Sequence, residues 1–137
     1  MNKHFLDLNN FLVADLERIL NNSIELKNQK SSSRALEGKF LGLIFEKSST
    51  RTRVSFEVAM TQLGGKASFL SVKDLQLDRG EPIEDTAKVL SSMVDGLVLR
   101  TLEHDTQLKF KENSSVPVIN GLSNKSHPCQ LLADLLT

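Results

Sequence analysis

Phe40-Leu41-Gly42-Leu43-Ile44-Phe45-Glu46-Lys47-Ser48-Ser49-Thr50-Arg51-Thr52-Arg53 is the stretch that decides the fold. Its opening is a continuous apolar run, the pattern of a strand buried on both faces, over about Lys39 to Phe45. Val54-Ser55-Phe56-Glu57-Val58-Ala59-Met60 continues as a helix, with Phe56, Ala59, Met60 and Leu63 at i, i+3, i+4 and i+7 making one buried face. A strand that ends in hydroxyl residues and arginine at a helix start is built to hold an anion. The first-turn N–H groups have no partner inside the helix, the dipole is positive there, and hydroxyls and a guanidinium add donors. Phosphate is the expected guest.

Outward from this unit, strands and helices alternate. Upstream, Leu8, Leu12 and Leu16, with Val13 and Ile19, predict a helix over Leu6 to Ile19, capped by Asp7 or Asn9/Asn10 and extended or followed by Leu20 to Lys30. Lys30 to Ser33 is a polar loop. Downstream, Gly64-Gly65 ends the central helix. Ala67 to Ser71 reads as a second strand and Lys73 to Pro82 as a polar loop. Ile83, Ala87, Leu90 and Val94 mark a helix over about Glu84 to Asp95, stopped by Gly96. Leu97-Val98-Leu99 is a third strand ending at Arg100. Asp105 to Glu112 is a helix whose apolar face is Leu108 and Phe110. Val116 to Asn120 is a fourth strand, with Pro117 near its start. A Gly/Ser/Asn loop then leads to His127-Pro128 and a helix over Gln130 to Leu136 with proline at its first turn. The alternation predicts an α/β fold with a parallel sheet covered on both faces, and the architecture expected is a three-layer α/β/α domain with a four-stranded parallel sheet in the order 2-1-3-4.

At 137 residues the chain can bury a real core as one domain. Seventeen basic residues balance seventeen acidic ones, so no global field favours nucleic acid or an anionic membrane, and an anion site must be local. Cys129 is the only cysteine, which excludes an internal disulfide and fits a reducing compartment. No apolar run approaches the roughly 20 residues of a membrane helix. The first residues lack the pattern of a signal peptide, so a cytoplasmic protein is expected. The chain stops at Leu135-Leu136-Thr137 inside an apolar helical pattern, and a cut within a larger protein is expected.

Ligands of open α/β sheets sit at the carboxyl ends of the strands. Ser49 to Arg53, Arg100, and His127 to Gln130 all follow strands and should converge on that edge. Arg51 and Arg53 are roughly 200° apart around a helix, so Arg51, nearer the mouth, is the better phosphate ligand. Arg53 is expected to pair with a carboxylate, Glu57 being one candidate. Each cluster has an ordinary reading beside this one. Ser49 and Thr50 can be a plain cap with solvated arginines. Arg100 can be a surface residue, His127 a structural histidine, Cys129 a small buried thiol, and the loop around Gln76, Asp78 and Arg79 a solvated connection.

The combination changes these readings. The run Phe45 to Arg53, Arg100 after its strand, the segment Gly80-Glu81-Pro82-Ile83-Glu84-Asp85-Thr86, and His127-Pro128-Cys129-Gln130-Leu131-Leu132-Ala133-Asp134 together resemble the carbamoyltransferases, the ornithine enzymes in particular. The resemblance runs from about Phe5 to the end. The aspartate enzymes share the Ser-Thr-Arg-Thr-Arg and His-Pro-x-Gln elements but usually have proline where Lys47 stands. By this resemblance residues 1–137 are a carbamoyl-phosphate-binding domain, and the domain that grips ornithine is absent. Ser49, Thr50, Arg51 and Thr52 would hold the phosphate. Arg100 and His127, with Thr52, would surround the carbamoyl oxygen. Gln130 and the backbone near Pro128 and Cys129 would meet the carbamoyl amide. Gln76 matches a loop position that reaches a neighbouring subunit's site in a trimer.

The implied reaction transfers a carbamoyl group to L-ornithine, giving L-citrulline and phosphate, with Arg100, His127 and Gln130 as the catalytic set. Donors on the developing oxyanion and cations on the leaving phosphate suffice for that chemistry, so no metal or other cofactor is expected. The fragment alone is expected to be inactive. Another acceptor, aspartate or putrescine, and a non-catalytic phosphate-binding module are the alternatives.

Overall fold

The computed structural model describes residues 3–29, 33–71, 75 and 82–137. The apolar run forms β1 (Phe40–Phe45), which pairs in parallel with β2 (Lys66–Ser71) on one side and β3 (Gly96–Arg100) on the other. β4 (Val118–Leu122) pairs with β3, so the sheet runs β2-β1-β3-β4 as expected. The helices are α1 (Val13–Asn28), α2 (Thr50–Gln62), α3 (Ile83–Ser91), α4 (His104–Asn113) and α5 (Pro128–Leu136).

The layers follow from the handedness of the crossovers. The chain leaves β1 through α2 to reach β2, then returns past β1 through α3 to reach β3. Right-handed connections in opposite directions place their helices on opposite faces. β1 supplies both cores by alternation. Leu41, Leu43 and Phe45 pack with Val98 and Met60 of α2. On the other face, Ile44, Leu97, Leu99 and Val118 pack with Ala87 of α3 and Phe110 of α4. The chain crosses over between β1 and β3, and there the strand ends open outward.

Residues near the N-terminus cover the far edge of β4. Phe5 bridges Ile119 in parallel, donating from N to Val118 O at 2.8 Å and accepting at its O from Asn120 N at 2.8 Å.

Several element boundaries differ from those expected. Leu6 to Ile19 is not one helix: Asp7 accepts from Asn9 N and caps a single 3-10 turn at Leu8–Asn10, and extended Leu12 separates it from α1. No residue of α1 is buried, and Leu12 and Val13 are exposed despite their helical spacing. On α2 only Met60 of the expected face is buried, Phe56 being half-buried and Ala59 exposed. α3 stops at Ser91, before Gly96, which is the first residue of β3. The fourth strand starts after Pro117, which has no N–H to donate and joins the sheet only as an acceptor, from Leu97 N at 3.0 Å. α4 buries Phe110 but leaves Leu108 at the surface, and its other buried positions are His104 and Gln107. Among the described residues no helix is long and apolar enough to cross a membrane.

Candidate functional site

The carboxyl end of β1 leads through Glu46 to the start of α2. Glu46 N donates to Arg100 O at 2.8 Å, and Glu46 Oε1 accepts from Leu102 N at 3.2 Å, tying this loop to the end of β3. Ser49 is the N-cap of α2, and its Oγ accepts from Thr52 N at 3.3 Å. The hydroxyl satisfies one of the orphan donors of the first turn, and the neighbouring N–H groups remain directed outward at the positive end of the dipole.

α5 begins beside α2. His127 is its N-cap residue, makes no side-chain cap bond, and hands over to Pro128 at the first position. Between the two helices lies an open cleft of about 270 Å³ lined by Arg51, Thr52 and Ser55 from α2 and by His127, Cys129 and Gln130 from the α5 side, with Phe56, Ala59 and Ala133 as its floor and walls. Arg51, Thr52, His127 and Gln130 are thus brought to one place from segments some seventy-five residues apart in sequence. Arg100 sits at the end of β3, lines a separate, smaller cleft with Lys47 and Thr101, and its charge reaches His127.

The electrostatics mark Arg100 and His127. The Nε of Arg100 and the Nδ1 of His127 are both buried and have no hydrogen-bond partner among the described residues. Burial, reinforced by the Arg100 guanidinium, holds His127 below the ordinary imidazole pKa. The ring is therefore neutral near pH 7, able to donate from one nitrogen and accept at the other. Buried polar groups are normally paired, and these two nitrogens are exceptions to that rule.

The remaining expected site residues divide. Thr50 is the first, exposed residue of α2, and neither it nor Ser49 lines the cleft. Pro128 is buried as the first residue of α5. Gln130 lines the cleft, but its Nε2 donates to Asp134 Oδ1 at 3.0 Å, an i, i+4 bond on the same helix. Cys129 has its thiol pushed up to about 11 by burial, and the Sγ lies 3.6 Å from Asn120 O. Cys129 is half-buried on the cleft wall, and so weakly acidic a thiol is a poor nucleophile at neutral pH. Gln76, Asp78 and Arg79 lie outside the described residues.

Arg53 turns away from the cleft, as the helical phase predicts. It donates from Nε to Glu57 Oε1 at 2.8 Å and lies 4.1 Å from the centre of the Phe69 ring. Ser55 and Ala133 line the cleft and escaped the sequence reading. Ser55 falls three residues after Thr52 on the same helix face, the signal that would have found it. Among the described residues no three His, Cys, Asp or Glu side chains gather closely enough to hold a metal ion.

Known proteins share this architecture. Residues 3–137 match the family described as aspartate/ornithine carbamoyltransferase, carbamoyl-P binding domain. The ornithine carbamoyltransferase of Hydrogenovibrio crunogenus is 58% identical over 138 residues, covering 98% of this chain and 46% of that protein. That of Ruthia magnifica is 56% identical over 140 residues, covering 100% of this chain and 47% of that protein. The crystal structure of anabolic ornithine carbamoyltransferase from Campylobacter jejuni superposes with a TM-score of 0.93 at 50% identity, over 98% of this chain and 44% of that one. The chain spans about half the length of the curated relatives it matches. It belongs to the aspartate/ornithine carbamoyltransferase family and corresponds to the family's carbamoyl-P binding domain.

Proposed function

We propose that the cleft between α2 and α5 binds carbamoyl phosphate, and that the chain is the carbamoyl-phosphate half of an ornithine carbamoyltransferase. The observation that carries this reading is the meeting of a helix N-terminus bearing Arg51 and Thr52 with His127 and Gln130 in one cleft, beside Arg100. The α2 N-terminus suits a phosphate, held by Arg51, Thr52 and first-turn N–H groups, with Ser49 and Thr50 shaping that turn. Arg100 and His127 suit the carbamoyl carbonyl oxygen as donors. Gln130 and the backbone at Pro128 and Cys129 suit the carbamoyl amide, which requires Gln130 to release Asp134 on binding.

The chemistry uses what these groups offer. A neutral amine of L-ornithine attacks the carbamoyl carbon, forming a C–N bond as negative charge gathers on the oxygen. Arg100, His127 and the Thr52 hydroxyl stabilise that charge, and Arg51 stabilises the phosphate. The C–O bond to phosphate then breaks, and the surplus amine proton leaves on the phosphate. The products are L-citrulline and hydrogen phosphate, a step of arginine metabolism in the cytoplasm.

The acceptor would be gripped by the part of the relatives' length that this chain does not span. The 137 residues alone are therefore inactive in this reading, because positioning of the amine can supply about 7–11 kcal/mol. We assign Gln76 to a neighbouring subunit's site in a homotrimer. Mixing Gln76→Ala with Arg51→Ala subunits of the protein from its complete reading frame should then restore part of the activity.

The second reading is another acceptor, aspartate or an amine such as putrescine; the family description, which spans aspartate and ornithine enzymes, supports aspartate. Carbamoylation assays with each amine, on the protein from its complete reading frame, decide between them. Saturable carbamoyl phosphate binding without transfer to any amine would leave a binding module.

A further inference from the structure

Gln107 is the position of α4 that the apolar pattern passes over, and it is fully buried. Its Nε2 lies 3.2 Å from Leu99 O, 3.1 Å from Thr101 Oγ1, 3.0 Å from Asn120 Oδ1 and 3.0 Å from Leu122 O. Only the donor end of the amide fits there, since the reversed amide would set its oxygen against the carbonyls of Leu99 and Leu122.

These acceptors surround the register shift of the sheet. The ladder pairs Leu99 with Asn120 but Arg100 with Leu122, so Gly121 is skipped. A Cβ on Gly121 would come within 3.1 Å of Val98 Cγ1 and 3.2 Å of Leu99 O, which is why glycine stands there. The bulge lies on β4, opposite the step from Leu99 to Arg100, so Arg100 pairs at the shifted register. Gln107 fills the gap and meets both neighbours of Arg100, the Leu99 carbonyl and the Thr101 hydroxyl.

The link continues to His127. Asn120, also fully buried, accepts from Gln107 at Oδ1 and donates from Nδ2 to Ser126 O at 3.2 Å and Leu6 O at 3.0 Å. Ser126 immediately precedes His127. Two side-chain amides therefore connect the end of β3 to the backbone that carries His127.

We propose that Gln107 is a positioning residue which, through Asn120, sets Arg100 against His127 so that both meet one carbonyl oxygen. The inference rests on the cleft being the carbamoyl phosphate site. It also bears unequally on the two halves of that ligand, because the phosphate-holding turn of α2 has no hydrogen bond to Gln107 or Asn120 among the described residues and meets the end of β3 one step removed, through Glu46.

The test uses the protein from its complete reading frame, with carbamoyl phosphate and inorganic phosphate titrated separately by calorimetry. Gln107→Met keeps the length and removes the donor. It should weaken carbamoyl phosphate about tenfold and inorganic phosphate by less than about twofold, the scale of one hydrogen bond's worth of placement. Phe110→Leu destabilises the same helix away from the amides, so it should lower the melting temperature and leave the preference between the ligands intact. If Gln107→Met does not fold, Gln107→Asn, with its donor on a shorter arm, is read in its place.

Equal losses for both ligands, an unchanged preference, or the same change of preference in Phe110→Leu would overturn the positioning role alone. A wild-type protein with no preference for carbamoyl phosphate over phosphate would instead overturn the reading of the site, and this inference with it.

Discussion

Arg53 and Glu57 form a 2.8 Å ion pair one turn apart on α2, on the side of the helix that faces Phe69 rather than the cleft. Arg51, two positions earlier, lines the cleft. The two arginines of one motif thus lie on different sides of the helix, and helical phase separates them.

Replacement of the two arginines should therefore have different effects. Arg51→Ala should weaken binding of carbamoyl phosphate and of phosphate by about 1.5–3 kcal/mol, the range for hydrogen bonds to charged groups. Arg53→Ala should leave binding nearly unchanged and cost about 1 kcal/mol of stability, since its ion pair and ring contact are partly exposed. Calorimetric titration and thermal melts of both variants check this, and equal binding losses would show the assignment to be wrong.

Cys129 should be nearly inert. Its thiol is pushed up to about 11 by burial, so the thiolate is scarce at neutral pH. Alkylation near pH 8 should run about two orders of magnitude slower than for a free thiol, whose pKa is roughly 8.5. Mass spectrometry over a time course measures the rate. A rate like that of glutathione would place the sulfur at the surface.

Gly65 tolerates no side chain. A Cβ there would meet Met60 Cε at 2.6 Å, Leu36 O at 2.9 Å and Lys39 O at 3.0 Å. Two of these atoms are backbone and cannot swing aside. Gly65→Ala should cost about 1–3 kcal/mol, the usual range for overpacking. Urea unfolding gives the value, and a neutral result would mean that the turn into β2 is looser than it is drawn.

Stability should fall as the solution is made mildly acid. Burial lowers the pKa of His4, His104 and His127, aided by Lys3 and Lys111 at His4, Lys125 at His104 and Arg100 at His127. Each group binds a proton more readily in the unfolded chain. Its contribution is therefore complete above the unfolded value of about 6.5 and is lost as pH falls through the folded value. Asp7, lowered chiefly by the Asn9 N–H, acts in a more acidic window, below its ordinary 3.8. Melting temperatures from about pH 7.5 to pH 5 should decline, and His104→Asn should decline less steeply. A flat profile would contradict the burial of these rings.

The strand–helix unit from Phe40 to Met60 was legible because its signals are local. A continuous apolar run, a Ser at the cap and a helical face are each written within a few residues. The parallel sheet followed from the alternation of strands and helices, which leaves few topologies once crossovers are right-handed. The convergence of Arg51, His127 and Gln130 could be expected for the same reason, as each follows a strand.

What only the tertiary structure decided lies where polar groups are buried or apolar ones are left out. Leu108 looked like the core of α4 and is at the surface, whereas Gln107 is inside because β3 and β4 present carbonyls to it across the sheet. Leu12 and Val13 have helical spacing but no described element to cover them. Arg100 and His127 were each readable as ordinary residues on their own. Their closeness, and the buried nitrogens that go with it, arise from a register shift between two strands and an amide bridge between their ends. Such contacts join residues distant in sequence, and no local propensity encodes them.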